Sequence, residues 1–138
     1  MEDKTIISLK GHVKAYINGQ LVLDKHNDIQ TSAKEIIRRA LGSSSHKINK
    51  VIVLDSGTEL AHTLIAPSQV MYPSTPGVVS FTAVFSEVSF SGDFNEIHLT
   101  SNSNLLGEEI FSILSFDPIT KTSDNSLVID WVITIELL

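Results

Sequence analysis

A long alternating stretch, residues 127–137, constrains the fold of this chain more than any other feature. Large apolar residues occupy every odd position from Leu127 to Leu137, with Trp131 at the centre. Side chains of a β-strand point alternately to opposite faces, so the pattern predicts one strand with a core-facing side. Residues 126–138 would extend about 43 Å as a strand. That is more than twice the ordinary strand length of ~17–20 Å.

The even positions of the same stretch form a mixed second face. They are Val128, Asp130, Val132, Thr134 and Glu136. This face is too apolar for full exposure to water and too polar for a uniform core. We therefore expect it to lie partly at a subunit contact, with the two carboxylates at the rim, where charges oppose unlimited edge pairing. The alternative is a central strand whose second face is covered by a helix.

A β-hairpin is predicted near the amino terminus. Val13, Ala15 and Ile17 alternate before Asn18-Gly19, and apolar residues resume at Leu21. Asn-Gly is the dipeptide favoured by two-residue type I′ turns, because both positions need positive φ.

One helix is predicted, near residues 32–41. Ser32 and Glu35 have the spacing of a capping box, and Gly42 is placed to follow the last turn. An apolar stripe recurs at helical spacing; its members are Ala33, Ile36, Ile37, Ala40 and Leu41.

The remaining apolar segments are short and separated by turn residues, which favours an antiparallel β-sandwich of about seven or eight strands. Residues 58–77 contain three of the four prolines and are predicted to form a long connection. At 138 residues the chain is expected to form a single domain, residues 1–138.

Composition narrows the possible functions. The formal net charge is -6, and Arg38 and Arg39 are the only arginines. We expect no nucleic-acid partner, because phosphate binding depends on basic residues. The sequence contains no cysteine, which rules out disulfides and thiolate chemistry. No apolar run is long enough to span a bilayer, and we expect no membrane association.

Two groups of residues could hold a cation. Glu96 and His98 are two apart on a predicted strand, but two ligands are too few for a metal site. Asp24, His26 and Asp28 also alternate, but they lack the glycine and final glutamate of a calcium loop. Solvated strand faces are the preferred interpretation of both, so we expect no metal, no cofactor and no catalytic residue.

Aromatic residues raise the alternative of a sugar-binding surface. Trp131 shares its face with large aliphatic residues and is expected in the core. Tyr16 and Tyr72 are the better candidates for contacts with a glycan.

The order of these segments resembles small structural proteins encoded by tailed bacteriophages. The similar segments are "GHVKAYINGQLVLDKHNDIQTSAKEIIRRALG", "INKVIVLDSGTELA", "VSFTAVF", "NEIHLTS" and "ILSFDPITKTSDNSLVIDWVITI", which together reach from Gly11 to Ile135. The last segment is the most specific, with an apolar strand, then "PITKT", then a long strand with a central tryptophan. The chain departs from the group at His98 and at Asp55-Ser56, where those proteins usually have glycines.

The resemblance implies a non-enzymatic virion protein, made in the host bacterial cytoplasm. It would decorate the capsid or serve as a head–tail or tail accessory component. Its implied partners are other capsid or tail proteins and copies of itself, with a trimer expected by analogy with capsid symmetry. The alternative is a carbohydrate- or receptor-binding module, such as a tail-fibre attachment domain, that binds glycans weakly.

Overall fold

The computed structural model describes residues 7–29, 33, 36–37, 47–103 and 107–137. Within these ranges lie nine strands, one short 3₁₀ turn, Pro67–Gln69, and three helical residues at positions 33, 36 and 37. The strands are β1 Ile7–Ile17, β2 Gln20–Ile29, β3 Ile48–Asp55, β4 Thr58–Leu64, β5 Val70–Met71, β6 Val78–Phe85, β7 Gly92–Ser103, β8 Gly107–Lys121 and β9 Leu127–Leu137.

The strands form two antiparallel sheets, which confirms the predicted β-sandwich. A five-stranded sheet has the order β2-β1-β9-β6-β5, and a four-stranded sheet has the order β4-β3-β7-β8. Strand β2 joins them, because Asp28 and Ile29 at its end pair with Ile113 and Ser112 of β8. The long strand β9 lies between β1 and β6, so it is central in its sheet.

The predicted hairpin is confirmed as β1 and β2. Asn18 and Gly19 have φ angles of 49° and 80°, the two positive values that a type I′ turn requires. Ile17 pairs with Gln20 across this turn.

The connection predicted over residues 58–77 is wrong in its first part. Thr58–Leu64 forms strand β4, which pairs with β3 through a second tight turn at Ser56 and Gly57. Their φ angles are 49° and 87°. A serine at positive φ is uncommon, so "Asp-Ser-Gly" did not identify the turn as "Asn-Gly" did. With β4 and the two-residue β5, the described part of the chain has nine strands, against the seven or eight predicted.

The core lies between the two sheets. Leu127, Ile129, Trp131 and Ile133 of β9 are buried, as the alternation predicts. Ile135 continues the same face but is 45% exposed, because it lies where the sandwich opens at one end.

The predicted helix is described only in part. Ala33, Ile36 and Ile37 are helical, and the remainder of residues 32–41 lies outside the described part of the chain. Ala33 and Ile36 belong to the buried cluster between the sheets. These two positions of the apolar stripe therefore pack into the core and do not cover the outer side of β9.

Two irregularities in the pairing of β7 with β8 change which residues face the core. Leu99 pairs with Ser112, but its neighbour Thr100 pairs with Ile110, so Phe111 is the extra residue of a bulge. Phe111 is 3% exposed. The second irregularity, opposite Phe94 and Glu96, contains Pro118, which could not donate a regular ladder hydrogen bond.

Candidate functional site

The outer face of the five-stranded sheet, meaning the side turned away from the core, carries the residues predicted at a subunit contact. Val128, Asp130, Val132, Thr134 and Glu136 are all partly exposed along the middle of this face. Strands β1 and β6 flank them on either side. The even positions of β9 therefore form part of a broad surface, and not the edge of a sheet.

An apolar row crosses four strands at one end of the outer face. Tyr16 of β1 pairs with Leu21 of β2 on one side and with Val128 of β9 on the other. Val128 in turn pairs with Val84 of β6. Leu21 is 48% exposed and Val84 is 44% exposed. Cross-strand neighbours on one face lie close enough to pack together, so these four residues present a continuous apolar strip to solvent.

A charged row runs beside the apolar row. Lys14 pairs with Asp24 on β2 and with Asp130 on β9, so a positive charge lies between two negative ones. Thr82 of β6 donates a hydrogen bond from Oγ1 to Asp130 Oδ1 over 2.9 Å. This bond fixes the aspartate at the centre of the face.

A histidine pair forms the next row. His12 and His26 pair across β1 and β2, and their rings stack with centroids 4.5 Å apart. His12 Nε2 also contacts Asp24 Oδ1. The hydrogen bond with His12 lowers the pKa of Asp24 below its ordinary value of 3.8, and the nearby charges of His12, Lys14 and His26 act in the same direction.

The sequence grouped Asp24 and His26 with Asp28 as possible ligands of a cation. In the structure both residues contact His12, which belongs to the other strand of the hairpin. The side chain of Asp28 lies outside the described part of the chain. His12 lies on the other face of β1 from Val13, and the register of the hairpin brings it close to Asp24.

An ion pair closes the far end of the outer face. Lys10 Nζ lies 3.3 Å from Glu136 Oε2, and both side chains are exposed. Exposed pairs of this kind contribute about 0–1 kcal/mol to stability, so this pair adds little to the stability of the fold.

The outer face of the four-stranded sheet carries two further histidine–carboxylate pairs. His98 contacts Glu96 on β7, and His62 Nδ1 lies 3.0 Å from Glu59 Oε2 on β4. Ile52 of β3 is buried, with 3% of its surface exposed. It pairs with both histidines and therefore lies between them. Within the described residues, no group of three or more potential ligands could hold a metal ion.

The two tyrosines proposed for glycan contacts differ in environment. Tyr16 is half-buried in the apolar row, whereas Tyr72 is 80% exposed at the rim of a pocket at the open end of the sandwich. Trp131 is fully buried, as expected. None of the described residues accepts a hydrogen bond from its indole Nε1.

Lys121 is a residue whose role the sequence did not indicate. It lies in the "PITKT" segment and is fully buried. Its Nζ donates hydrogen bonds to the carbonyls of Glu87, Phe90 and Thr122 over 2.9, 2.8 and 3.2 Å. Lysine is ordinarily exposed, so the burial of Lys121 at the end of β8 depends on the loop that folds over it.

Within the described ranges, no helix has the length and hydropathy needed to cross a membrane.

Comparisons with protein-family models, with curated proteins and with solved structures give no match. The geometry of the outer face and the resemblance of the sequence are therefore the two grounds for a functional proposal.

Proposed function

We propose that the protein is a non-enzymatic structural component of a tailed-bacteriophage virion. It associates with copies of itself through the outer face of the five-stranded sheet, and so assembles on the capsid or tail beside other virion proteins. The observation that carries this proposal is the exposed apolar row of Leu21, Tyr16, Val128 and Val84. The resemblance to phage structural proteins supplies the biological setting.

The charges of the outer face favour a second copy as the partner. Asp24, Lys14 and Asp130 alternate in sign across three neighbouring strands. A row that carries both signs can be matched by the same row of another copy, because each lysine can face an aspartate of its neighbour. Complementary charges of this kind give orientation and specificity to an apolar contact.

The size of the outer face indicates a weak contact that gains strength by repetition. Four strands of about nine residues give roughly 600 Å² at the usual strand spacing and rise. A standard stable interface buries about 800 Å² on each partner. A contact below that size holds firmly when many copies engage at once on a symmetric particle, since linked sites raise the effective concentration.

Quantitative mass spectrometry of purified particles tests the proposal. We expect the protein in many copies per particle, in a fixed ratio to a capsid or tail protein. Its absence from particles that are otherwise complete would contradict the virion role.

A glycan- or receptor-binding module is the second candidate, and the exposure of Tyr72 favours it. An aromatic ring that is 80% exposed can stack on a sugar face. Saturable binding on a glycan array that is lost in Tyr72→Ala, together with absence from particles, would support this candidate instead.

A further inference from the structure

An apolar pocket opens between the two sheets, at the end of the sandwich where Ile135 is exposed. Its volume is about 690 Å³. Binding sites for small molecules commonly measure roughly 300–1,000 Å³ and are lined mainly by apolar side chains with a few polar groups. Residues of both sheets and of the helical segment contribute to its wall, so the fold itself creates the space.

The side chains that line the pocket are buried at its floor and exposed at its rim. Phe81, Phe111 and Ile133 form the floor and are 7%, 3% and 2% exposed. Tyr72 and Lys47 at the rim are exposed. A ligand that fills this pocket would therefore have an apolar body in contact with the floor and a polar group at the mouth.

The rim has a positive charge. Lys47 is the one charged residue among the described residues that line the pocket. Its backbone carbonyl accepts a hydrogen bond from Ser101 Oγ over 2.8 Å, which ties this part of the rim to β7. The Lys47 ammonium and the Tyr72 hydroxyl are both hydrogen-bond donors among the lining residues, and a carboxylate can accept hydrogen bonds from donors of both kinds.

We propose that the pocket binds a single-chain aliphatic carboxylate, that is, a fatty acid. The hydrocarbon chain lies against Phe81, Phe111 and Ile133, and the carboxylate pairs with the Lys47 ammonium and the Tyr72 hydroxyl. This site is separate from the outer face, and the proposal does not depend on the virion role.

Two probes with the same chain and opposite head groups test the charge preference. Dodecanoate and dodecyltrimethylammonium are titrated below their micelle concentrations into the full-length protein, and the fluorescence of Trp131 is followed. Trp131 is the only tryptophan. It pairs with Phe81 and precedes Ile133 by two residues on the same face, so it reports on the floor of the pocket. We expect saturable binding of dodecanoate at one site and binding of the cation at least about tenfold weaker, equivalent to ~1.4 kcal/mol.

Lys47→Glu reverses the charge at the rim. Because a charge-assisted contact is replaced by repulsion, we expect the affinity for dodecanoate to fall about tenfold or more and that for the cation to rise. Lys25→Glu is the matched control, because it makes the same charge change at an exposed residue that does not line the pocket. It should leave both affinities within about twofold, since salt screens the charges of exposed side chains.

Val79→Trp, which fills the pocket from β6, should abolish the binding of both probes. Ile48→Phe, which narrows the pocket from β3, serves if the first variant does not reach the wild-type circular-dichroism spectrum. Three results would overturn the proposal. They are no saturable binding of dodecanoate, equal affinity for the two probes in both wild type and Lys47→Glu, or binding that persists in a folded pocket-filled variant. If neither probe binds and Val79→Trp instead prevents self-association, a protein segment is the occupant and the proposal is wrong.

Discussion

At the scale of single residues, Lys121 shows how one buried charge organises a connection. Its ammonium group donates to three backbone carbonyls, two of them in the loop between β6 and β7. The same group lies 4.9 Å from the centre of the Phe90 ring. Phe90 in turn meets Phe85 and Phe94 edge to face. The lysine therefore fastens the loop over an aromatic cluster at the edge of the core.

Lys121→Met should lower the free energy of unfolding by about 2–3 kcal/mol, because it removes charge-assisted hydrogen bonds while keeping the apolar stem. Urea unfolding followed by circular dichroism measures the change. Lys25→Met is the matched control, since Lys25 donates one exposed hydrogen bond to the Ser115 carbonyl. Its cost should stay within about 0.5 kcal/mol. An equal loss in the free energy of unfolding for the two variants would show that the buried hydrogen bonds of Lys121 do not stabilise the fold more than an exposed one.

Burial also gives Lys121 a pH dependence. Loss of hydration lowers its pKa below the ordinary value of 10.5, against the opposing charge of Glu87. The unfolded chain therefore holds this proton more tightly than the folded protein. The contribution of Lys121 to the free energy of unfolding should rise with pH between its folded pKa and 10.5, and then level off. Lys121→Met should lack this rise when unfolding is compared across that window.

Asp24 makes the opposite kind of contribution. Its hydrogen bond with His12 lowers the pKa of the carboxyl below 3.8 in the folded protein. The stabilisation is therefore present above 3.8 and is lost as the pH falls through the folded pKa. NMR titration of the Asp24 carboxyl should show a pKa that moves back towards 3.8 in His12→Ala. His62→Ala should leave it unchanged, because His62 pairs with Glu59 on the other sheet.

At the scale of elements, tight turns and close approaches decide how strands enter the sheets. Gly77, just before β6, has a φ of 78°, and a Cβ at this position would overlap the carbonyl oxygen of Ile135. Its own carbonyl accepts a hydrogen bond from Ile135 N over 2.7 Å. This glycine therefore lets the connection after β5 dock against β9, one residue before β6 begins.

Gly77→Ala should cost more stability than Gly57→Ala, although both glycines have positive φ. Gly57 has a φ of 87° and no atom within 4 Å of an added Cβ, so it bears only the backbone strain of about 1–2 kcal/mol. Gly77 adds the overlap with Ile135, worth roughly 1–3 kcal/mol more. The difference in thermal stability between the two variants measures the contribution of the overlap with Ile135. A smaller loss for Gly77→Ala would mean that β9 does not approach this closely.

At the scale of the whole molecule, the two faces of the five-stranded sheet have different tasks. The inner face holds the core, and the outer face carries an apolar row beside a row of alternating charges. The buried residues of the inner face stabilise the fold, so residues of the outer face can be substituted with little effect on the free energy of unfolding. This separation allows self-association to be tested without unfolding the protein.

Val84→Asp should weaken self-association, because it places a charge in the apolar row beside Val128. We expect the dissociation constant, measured by light scattering over a concentration series, to rise at least about tenfold. The midpoint of thermal unfolding of the monomer should change little. Val88→Asp is the control, because Val88 is 88% exposed in the loop after β6 and is not a member of the apolar row. A wild-type protein that stays monomeric at high concentration would contradict the contact itself.

Local sequence patterns predicted the local parts of this structure. The alternation of residues 127–137 identified β9 and its buried side, and Asn18-Gly19 identified the first hairpin. Both signals are local, because a strand has a period of two and a type I′ turn needs positive φ at two adjacent residues. The same alternation predicted that Asp130 and the other even positions of β9 face away from the core. It did not predict their partners on the neighbouring strands.

Other features depend on the register between strands that are distant in sequence, and these could not be predicted from local patterns. A bulge opposite Leu99 buried Phe111, and the hairpin register brought His12 to Asp24. The loop between β6 and β7 buried Lys121, because two carbonyls of that loop accept hydrogen bonds from its ammonium group. The pocket likewise exists only where the ends of both sheets and the helical segment meet. No short stretch of sequence contains these outcomes, because a single extra residue in a strand exchanges which side chains face the core.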